Sequence, residues 1–262
     1  MIELSGVTKR YGPNTVVDSV SLTVPGGGVT ALVGPNGAGK SSLLSMIGRL
    51  LPMDEGEIRV DGLDVSRTAG DVLAKKLSIL RQENQVAVRL TVKELVEFGR
   101  FPHSRGRLTA EDGRHVEEAI DFLELAEFSG RPIDRLSGGQ RQRAFIAMVL
   151  CQDTDYVLLD EPLNNLDMRH ASQTMGLIRR LATELSKTIV IVLHDINFAS
   201  YHADRVVAMK DGAIVADGTP REIITGPSMA EIFDLEVPVH SYADRPVAAY
   251  FAIGSRCLHG QD

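Results

Sequence analysis

An α/β fold is predicted, with a mostly parallel sheet covered by helices on both faces, antiparallel strands ahead of it and a block of helices inserted within it. Three observations predict it. Apolar runs at 29–33, 156–159 and 188–193 are continuous rather than alternating, which is the pattern of strands buried on both faces. Helical spacing separates these runs. Residues 83–152 carry helical periodicity without any strand pattern, so helices interrupt the sheet between two of its strands. The boundaries that follow are a core at 1–82 and 153–230, a helical subdomain at 83–152 and a peripheral tail at 231–262, within a single domain.

In chain order, residues 2–24 read as two or three short strands. Tyr11-Gly12-Pro13-Asn14 breaks the first pair, and 20–24 alternates with period two. Pro25-Gly26-Gly27-Gly28 is a turn, and the strand at 29–33 delivers a glycine loop and then a helix at 42–50. Strands at 56–62 and 77–80 complete a β-α-β element. Within the insertion, 91–100 and 111–128 are helical, with Thr91 and Thr109 as N-caps and Glu94 or Asp112 following. A helix at about 169–186 and a hairpin at 205–216 finish the sheet. The tail has weak patterning, and there are no internal repeats.

Composition narrows the function. The longest purely aliphatic stretch, 189–193, is far short of the ~20 residues of a membrane span. Met-Ile-Glu-Leu-Ser-Gly lacks the basic start and apolar core of a signal peptide, which predicts a cytoplasmic chain. A formal net charge of -7 argues against a nucleic-acid-binding surface. Work at a membrane would therefore need a protein partner. Two cysteines, Cys151 and Cys257, make no disulfide framework, and Cys151 reads as a small buried residue.

The glycine loop is Gly34-Pro35-Asn36-Gly37-Ala38-Gly39-Lys40-Ser41, with Ser42 opening the helix behind it. A strand before and a helix after give G-x-x-x-x-G-K-S/T the context of a phosphate cradle. Loop N–H groups and the positive helix end converge on one point. Lys40 would reach the outer phosphates, and Ser41 would ligate a magnesium ion. Further on, 156–162 is an apolar strand ending in Asp160 and Glu161, and strand ends are where ligands gather in such sheets. Adjacent strand residues point opposite ways, so the two carboxylates take different tasks: Asp160 the magnesium shell, Glu161 the attacking water.

Leu136-Ser137-Gly138-Gly139-Gln140 starts another helix, running to about 150. Ser137 and Gln140 fit a capping box. The two glycines cost a helix about 1 kcal/mol each relative to alanine, and a close approach to the backbone, such as an anion at the helix start, would explain them.

These three motifs, in this order and spacing, resemble the ATP-binding cassette (ABC) ATPases over nearly the whole chain. The resemblance implies a P-loop NTPase (RecA-like) core with an antiparallel β subdomain and an inserted helical subdomain. It implies ATP and Mg2+ as cofactors, and a head-to-tail homodimer in which Ser137, Gly138, Gly139 and Gln140 of one copy cap the nucleotide held by the other. It also assigns Tyr11 to stacking on adenine, Gln82 to the metal and attacking water, His194 to the γ-phosphate and Glu161, and Asp167 to the interdomain contact. Asn164 stands where many members have Ser or Thr, and it retains hydrogen-bonding capacity. The phrases at 159–170, 99–103 and 193–199 are similar to bacterial ATPases of ferric-siderophore importers, particularly enterobactin-like catecholate systems. That implies transmembrane permease subunits as partners, indirectly a substrate-binding protein, and a place on the cytoplasmic face of the membrane. Haem and cobalamin importers use similar subunits. A soluble ATPase that remodels macromolecules would carry two cassettes or a long coiled coil, and a non-catalytic sensor would lack Glu161 or His194.

Overall fold

The computed structural model describes residues 1–82 and 88–252. Cys257, the end of the predicted tail and the first residues of the predicted insertion lie outside the described residues. The chain opens on β1 (Ile2–Tyr11) and β2 (Asn14–Val24), followed by β3 (Gly28–Val33), α1 (Lys40–Ile47), β4 (Glu55–Val60), β5 (Leu63–Asp64), α2 (Gly70–Leu73) and β6 (Leu77–Leu80). Then come the helices α3 (Val92–Glu97), α4 (Phe101–Ser104), α5 (Ala110–Phe122) and α6 (Gly138–Cys151). Sheet elements resume with β7 (Tyr156–Asp160), α7 (Met168–Glu184), β8 (Thr188–Val192), α8 (Ile196–His202), β9 (Arg205–Lys210) and β10 (Ala213–Gly218). Beyond them lie α9 (Pro220–Ile223), α10 (Gly226–Phe233) and a hairpin of β11 (Val239–Tyr242) and β12 (Arg245–Ala248).

One sheet has the order β10-β9-β3-β8-β7-β6, parallel throughout except for the edge strand β10. The other, β2-β1-β4-β5, is antiparallel. Period-two alternation splits the central strands between two cores. Val157, Leu159, Ile189 and Ile191 join the helices α3, α5, α6 and α7 on one face. Leu158, Val190 and Val192 join α1 and the antiparallel sheet on the other. Because both faces are covered, β7 and β8 are buried along their whole length, which is why they read as unbroken apolar runs. The parallel arrangement brings the C-terminal ends of β3, β7 and β8 to one edge, and the segments after Val33, Asp160 and Val192 leave it together. Among the described residues, no helix is long and apolar enough to cross a membrane.

The inserted helices are fastened by a buried ion pair. Arg100 Nε donates to Asp112 Oδ1 at 2.8 Å, both side chains being 6% exposed, and Arg100 Nη1 donates to the Cys151 carbonyl at 3.0 Å. Asp112 also closes the capping box begun by Thr109, three residues after it. Donation from the Thr109 N–H, and then from Arg100, holds its carboxyl down at about 2. Burial pushes the neighbouring Cys151 thiol up to about 12, which leaves it unreactive. Asp112→Ala strands a buried guanidinium and is expected to cost about 3–5 kcal/mol, measured as a lower urea midpoint. The wild-type contribution of this carboxylate is fully present above its ordinary value of 3.8 and is lost as pH falls toward 2, because the folded form binds the proton less readily than the unfolded form. An acid titration of stability over that window checks the sign.

Candidate active site

The loop between β3 and α1 is shaped by steric necessity. Gly34 has φ 138°, and a Cβ there would lie 2.0 Å from the Met209 carbonyl oxygen. At Gly39, with φ 93°, a Cβ would lie 2.3 Å from the Val16 carbonyl oxygen, so β2 presses directly on the loop. Gly39 is also the N-cap of α1 and gives no side-chain cap, leaving the first-turn donors of that helix for an anion. Asn36 and Gly37 are exposed, while Ala38 and Lys40 are buried. Lys40 Nζ donates to the carbonyls of Gly34 and Pro35, each at 2.8 Å, so the ammonium is held inside the loop. Burial lowers its pKa, opposed by Glu161 and Asp160. Helix α1 begins at Lys40 rather than Ser42, which puts Ser41 and Ser42 in its first turn.

Ser41 Oγ donates to Asp160 Oδ1 at 2.8 Å. Asp160 is buried, and burial raises its pKa despite that hydrogen bond. A hydroxyl and a carboxylate held in contact at the rim of a phosphate cradle are the hard-oxygen set that a magnesium ion takes alongside phosphate oxygens, so these residues fit the ion.

Glu161 departs from the sequence reading in its geometry. It lies beyond the end of β7 with φ 49°, in the left-handed region, so strand alternation does not set its direction. The backbone turn does. That turn delivers a side chain only 8% exposed to three partners. Gln82 Nε2 donates to Oε2 at 2.7 Å, Asn164 Nδ2 donates to the same oxygen, and His194 Nε2 lies 2.7 Å from Oε1. The Asn164 contact was not legible as a site contact from sequence. Its signal is a short amide side chain three residues after the carboxylate, within reach only because of the left-handed turn. Glu161, Asn164, Leu166, His194 and Phe198 line a cleft of about 260 Å³.

Tyr11 ends β1 at the turn to β2 and is 52% exposed, with Lys9 Nζ 5.6 Å from its ring centre. Asp54 Oδ1 accepts from that Lys9 at 3.0 Å. The strand that follows this turn, β2, is the one that presses on Gly39 through Val16.

Residues 137–140 stand elsewhere. The capping box is formed: Gln140 N–H donates to Ser137 Oγ at 3.3 Å, and Ser137 N–H donates to Gln140 Oε1 at 3.0 Å. No hydrogen bond among the described residues joins this segment to 34–41. It lies instead on 165–170. A Cβ at Gly139 would come within 2.4 Å of the His170 ring, so this glycine is required by a close approach within the chain itself. Gly138 meets only ordinary contacts, with Asn165 and Leu166, and faces solvent. Asp167 caps α7, accepting from the His170 N–H at 2.8 Å, and its Oδ1 is 2.8 Å from His170 Nδ1.

Comparison with known proteins agrees with this geometry. Residues 17–164 match the family model described as ABC transporter. The chain is 50% identical over 252 residues to the petrobactin import ATP-binding protein YclP of Bacillus subtilis (strain 168), covering 96% of this chain and 100% of that one. It is 38% identical over 244 residues to the ferric enterobactin transport ATP-binding protein FepC of Escherichia coli (strain K12), covering 92% and 89%. Among solved structures, the dimeric post-hydrolysis state of the ATP-binding cassette MJ0796 bound to ADP and Pi superposes with a TM-score of 0.74 at 32% identity, over 84% of this chain and 98% of that chain.

Proposed function

We propose that this chain, which belongs to the ABC transporter family, is the ATP-hydrolysing subunit of a bacterial ferric-siderophore importer. The observation that carries the reading is the convergence on Glu161: Gln82, Asn164 and His194 hold one carboxylate at the sheet edge from which the Lys40 loop and the Ser41–Asp160 pair also project. Such a site holds a polyphosphate, orients a water and stabilises the charge that shifts during phosphoryl transfer.

In this reading the N–H groups of 36–39 and the start of α1 bind the phosphates, Lys40 leaves its loop carbonyls for the outer phosphates, and Tyr11 stacks on adenine. Ser41 and Asp160 would hold Mg2+, which when bound would supply neutralisation of charge on the phosphate oxygens. Glu161 accepts the proton of the attacking water, and Gln82 and His194 fix its carboxylate and reach the water and the γ-phosphate. Ser137, Gly138, Gly139 and Gln140 of a second copy close the site, with Asp167 at the contact. Moving the closed-to-open ratio of a dimer from 1:99 to 99:1 takes about 5.5 kcal/mol, or roughly 2.7 from each of two nucleotides, and hydrolysis reverses it.

The movement has a handle. On the helical insertion, Phe98 and Phe101 are 57% and 60% exposed and, with Leu90, Glu94, Glu97 and Leu108, line a groove of about 380 Å³. Exposed aromatics in a groove mark a protein interface. In this reading a cytoplasmic segment of the permease occupies it, with the subunit at the cytoplasmic membrane face. Phe101→Asp should reduce recovery of the subunit with its permease at least tenfold, the equivalent of about 1.4 kcal/mol, and undiminished recovery would remove the groove from the interface.

Greater identity to the petrobactin importer subunit than to the enterobactin one makes a petrobactin-type ferric siderophore the first cargo to test. With the permease in proteoliposomes, ATP hydrolysis should rise when the ferric siderophore is delivered by its binding protein. Stimulation by haem or cobalamin instead would reassign the cargo, and a chain that associates with no permease would overturn the importer reading.

A further inference from the structure

The C-terminal segment 237–250 supplies no group to the site described above, yet its polar contacts converge on α8, whose N-cap Asp195 follows His194 directly. At Asn197 the contact is reciprocal. Its Nδ2 donates to the Ala248 carbonyl at 3.2 Å, and the Ala248 N–H donates to its Oδ1 at 2.8 Å. One turn later, Ser200 Oγ donates to the Pro246 carbonyl, and Arg245 Nη1 donates to the Ser200 carbonyl at 3.3 Å. The hairpin is itself tied down from α9, where Arg221 donates to the Asp244 carbonyl at 2.9 and 3.1 Å.

A side-chain amide that satisfies both backbone groups of one residue mimics a rung of a β-ladder, and it fixes the position and rotation of the backbone that bears it. Asn197 sits in the first turn of α8, three residues from His194. The imidazole needs such a mount, because packing does not hold it. His194 is 42% exposed, and it lines a largely apolar pocket of about 330 Å³ together with Met229, Phe233, Val237, Ala248 and Tyr250. A ring with open space beside it keeps its 2.7 Å approach to Glu161 only if the β8–α8 turn is held still.

We propose that Asn197, clasped by the C-terminal hairpin, is a positioning residue for His194, and that the segment 237–250 thereby serves hydrolysis without touching nucleotide. The inference rests on the reading of His194 and Glu161 as the hydrolytic pair. The test measures steady-state and single-turnover ATP hydrolysis of the full-length dimer for Asn197→Ala, His194→Ala and the double variant, with ATP affinity and thermal midpoint determined for each. Asn197→Ala should lower kcat roughly tenfold at unchanged KM for ATP, the scale expected when a reacting group is displaced by a fraction of an ångström. In the His194→Ala background the same substitution should cost nothing further, since both act through one imidazole. Ser200→Ala, which removes only the second anchor, should show a smaller loss with the same dependence on His194 and serves as the test variant if Asn197→Ala does not fold. Equal losses in both backgrounds, wild-type kcat in the clasp variants, or a kcat that falls only in step with the thermal midpoint would overturn the proposal. A His194→Ala protein with wild-type turnover would remove the hydrolytic pair and this inference together. Impaired His194→Ala beside a fully active Asn197→Ala would remove this inference alone.

Discussion

Glu161→Gln should lower kcat for ATP hydrolysis by about 10²–10⁴-fold while the protein still binds ATP and accumulates as a nucleotide-bound dimer. The isosteric amide preserves nearly every contact the carboxylate makes. Its carbonyl oxygen can accept from both Gln82 Nε2 and Asn164 Nδ2, as Oε2 now does, which turns its NH2 group toward His194 Nε2, which accepts from it once the ring carries its proton on Nδ1 instead. The loop at 34–39, Lys40 and the Ser41–Asp160 pair are untouched, so the groups that bind nucleotide survive. What is lost is a proton acceptor beside the attacking water. In the proposed cycle dimer closure depends on binding and dimer opening on hydrolysis, so the variant should stop in the closed state. Steady-state phosphate release and light scattering with ATP and Mg2+ check the two halves, and near-wild-type turnover would remove Glu161 from the hydrolytic role.

How much of this was legible in the sequence depended on how local each cause is. Continuous apolar runs fixed the parallel strands, since burial on both faces leaves a mark along the strand itself. Capping boxes at Thr91–Glu94, Thr109–Asp112 and Ser137–Gln140 all formed, because each is a contact across three residues. Features set by tertiary approach left no such mark. The reach of Glu161 follows from a left-handed turn in a residue type that rarely adopts one, so reasoning from strand alternation assigned its direction by the wrong cause. Gly139 was read as making room for an anion, but the ring of His170, from another helix, already fills the space a Cβ would need. Asn197 and Ala248 are 51 residues apart, and four-residue strands such as β11 and β12 are too short for periodicity to reveal.

Ser137→Arg should reduce hydrolysis by about 10²–10³-fold, the loss typical when one donor to developing charge is removed, yet leave ATP affinity at the Lys40 loop within about twofold. The separation follows from where 137–140 lies. Its glycines contact 165–170, and no hydrogen bond among the described residues links it to its own phosphate loop, so the proposed role of Ser137 is toward the nucleotide of a second copy. The same face carries Met168, 89% exposed at the start of α7, apolar surface that a second copy would remove from water at a gain of about 1.5–3 kcal/mol. An anion bound at the loop of that copy would meet the start of α6, where an arginine side chain now blocks its approach. Mixing supplies the decisive arm. Ser137→Arg and Lys40→Ala proteins should each be inactive, but a heterodimer of the two has one intact site, made from the Lys40 loop of the first and the Ser137 segment of the second. An equal mixture should therefore recover about a quarter of wild-type turnover if the two sites act independently. Ser137→Arg protein that cannot bind ATP on its own would show the segment serving its own loop, and the shared site would have to be abandoned.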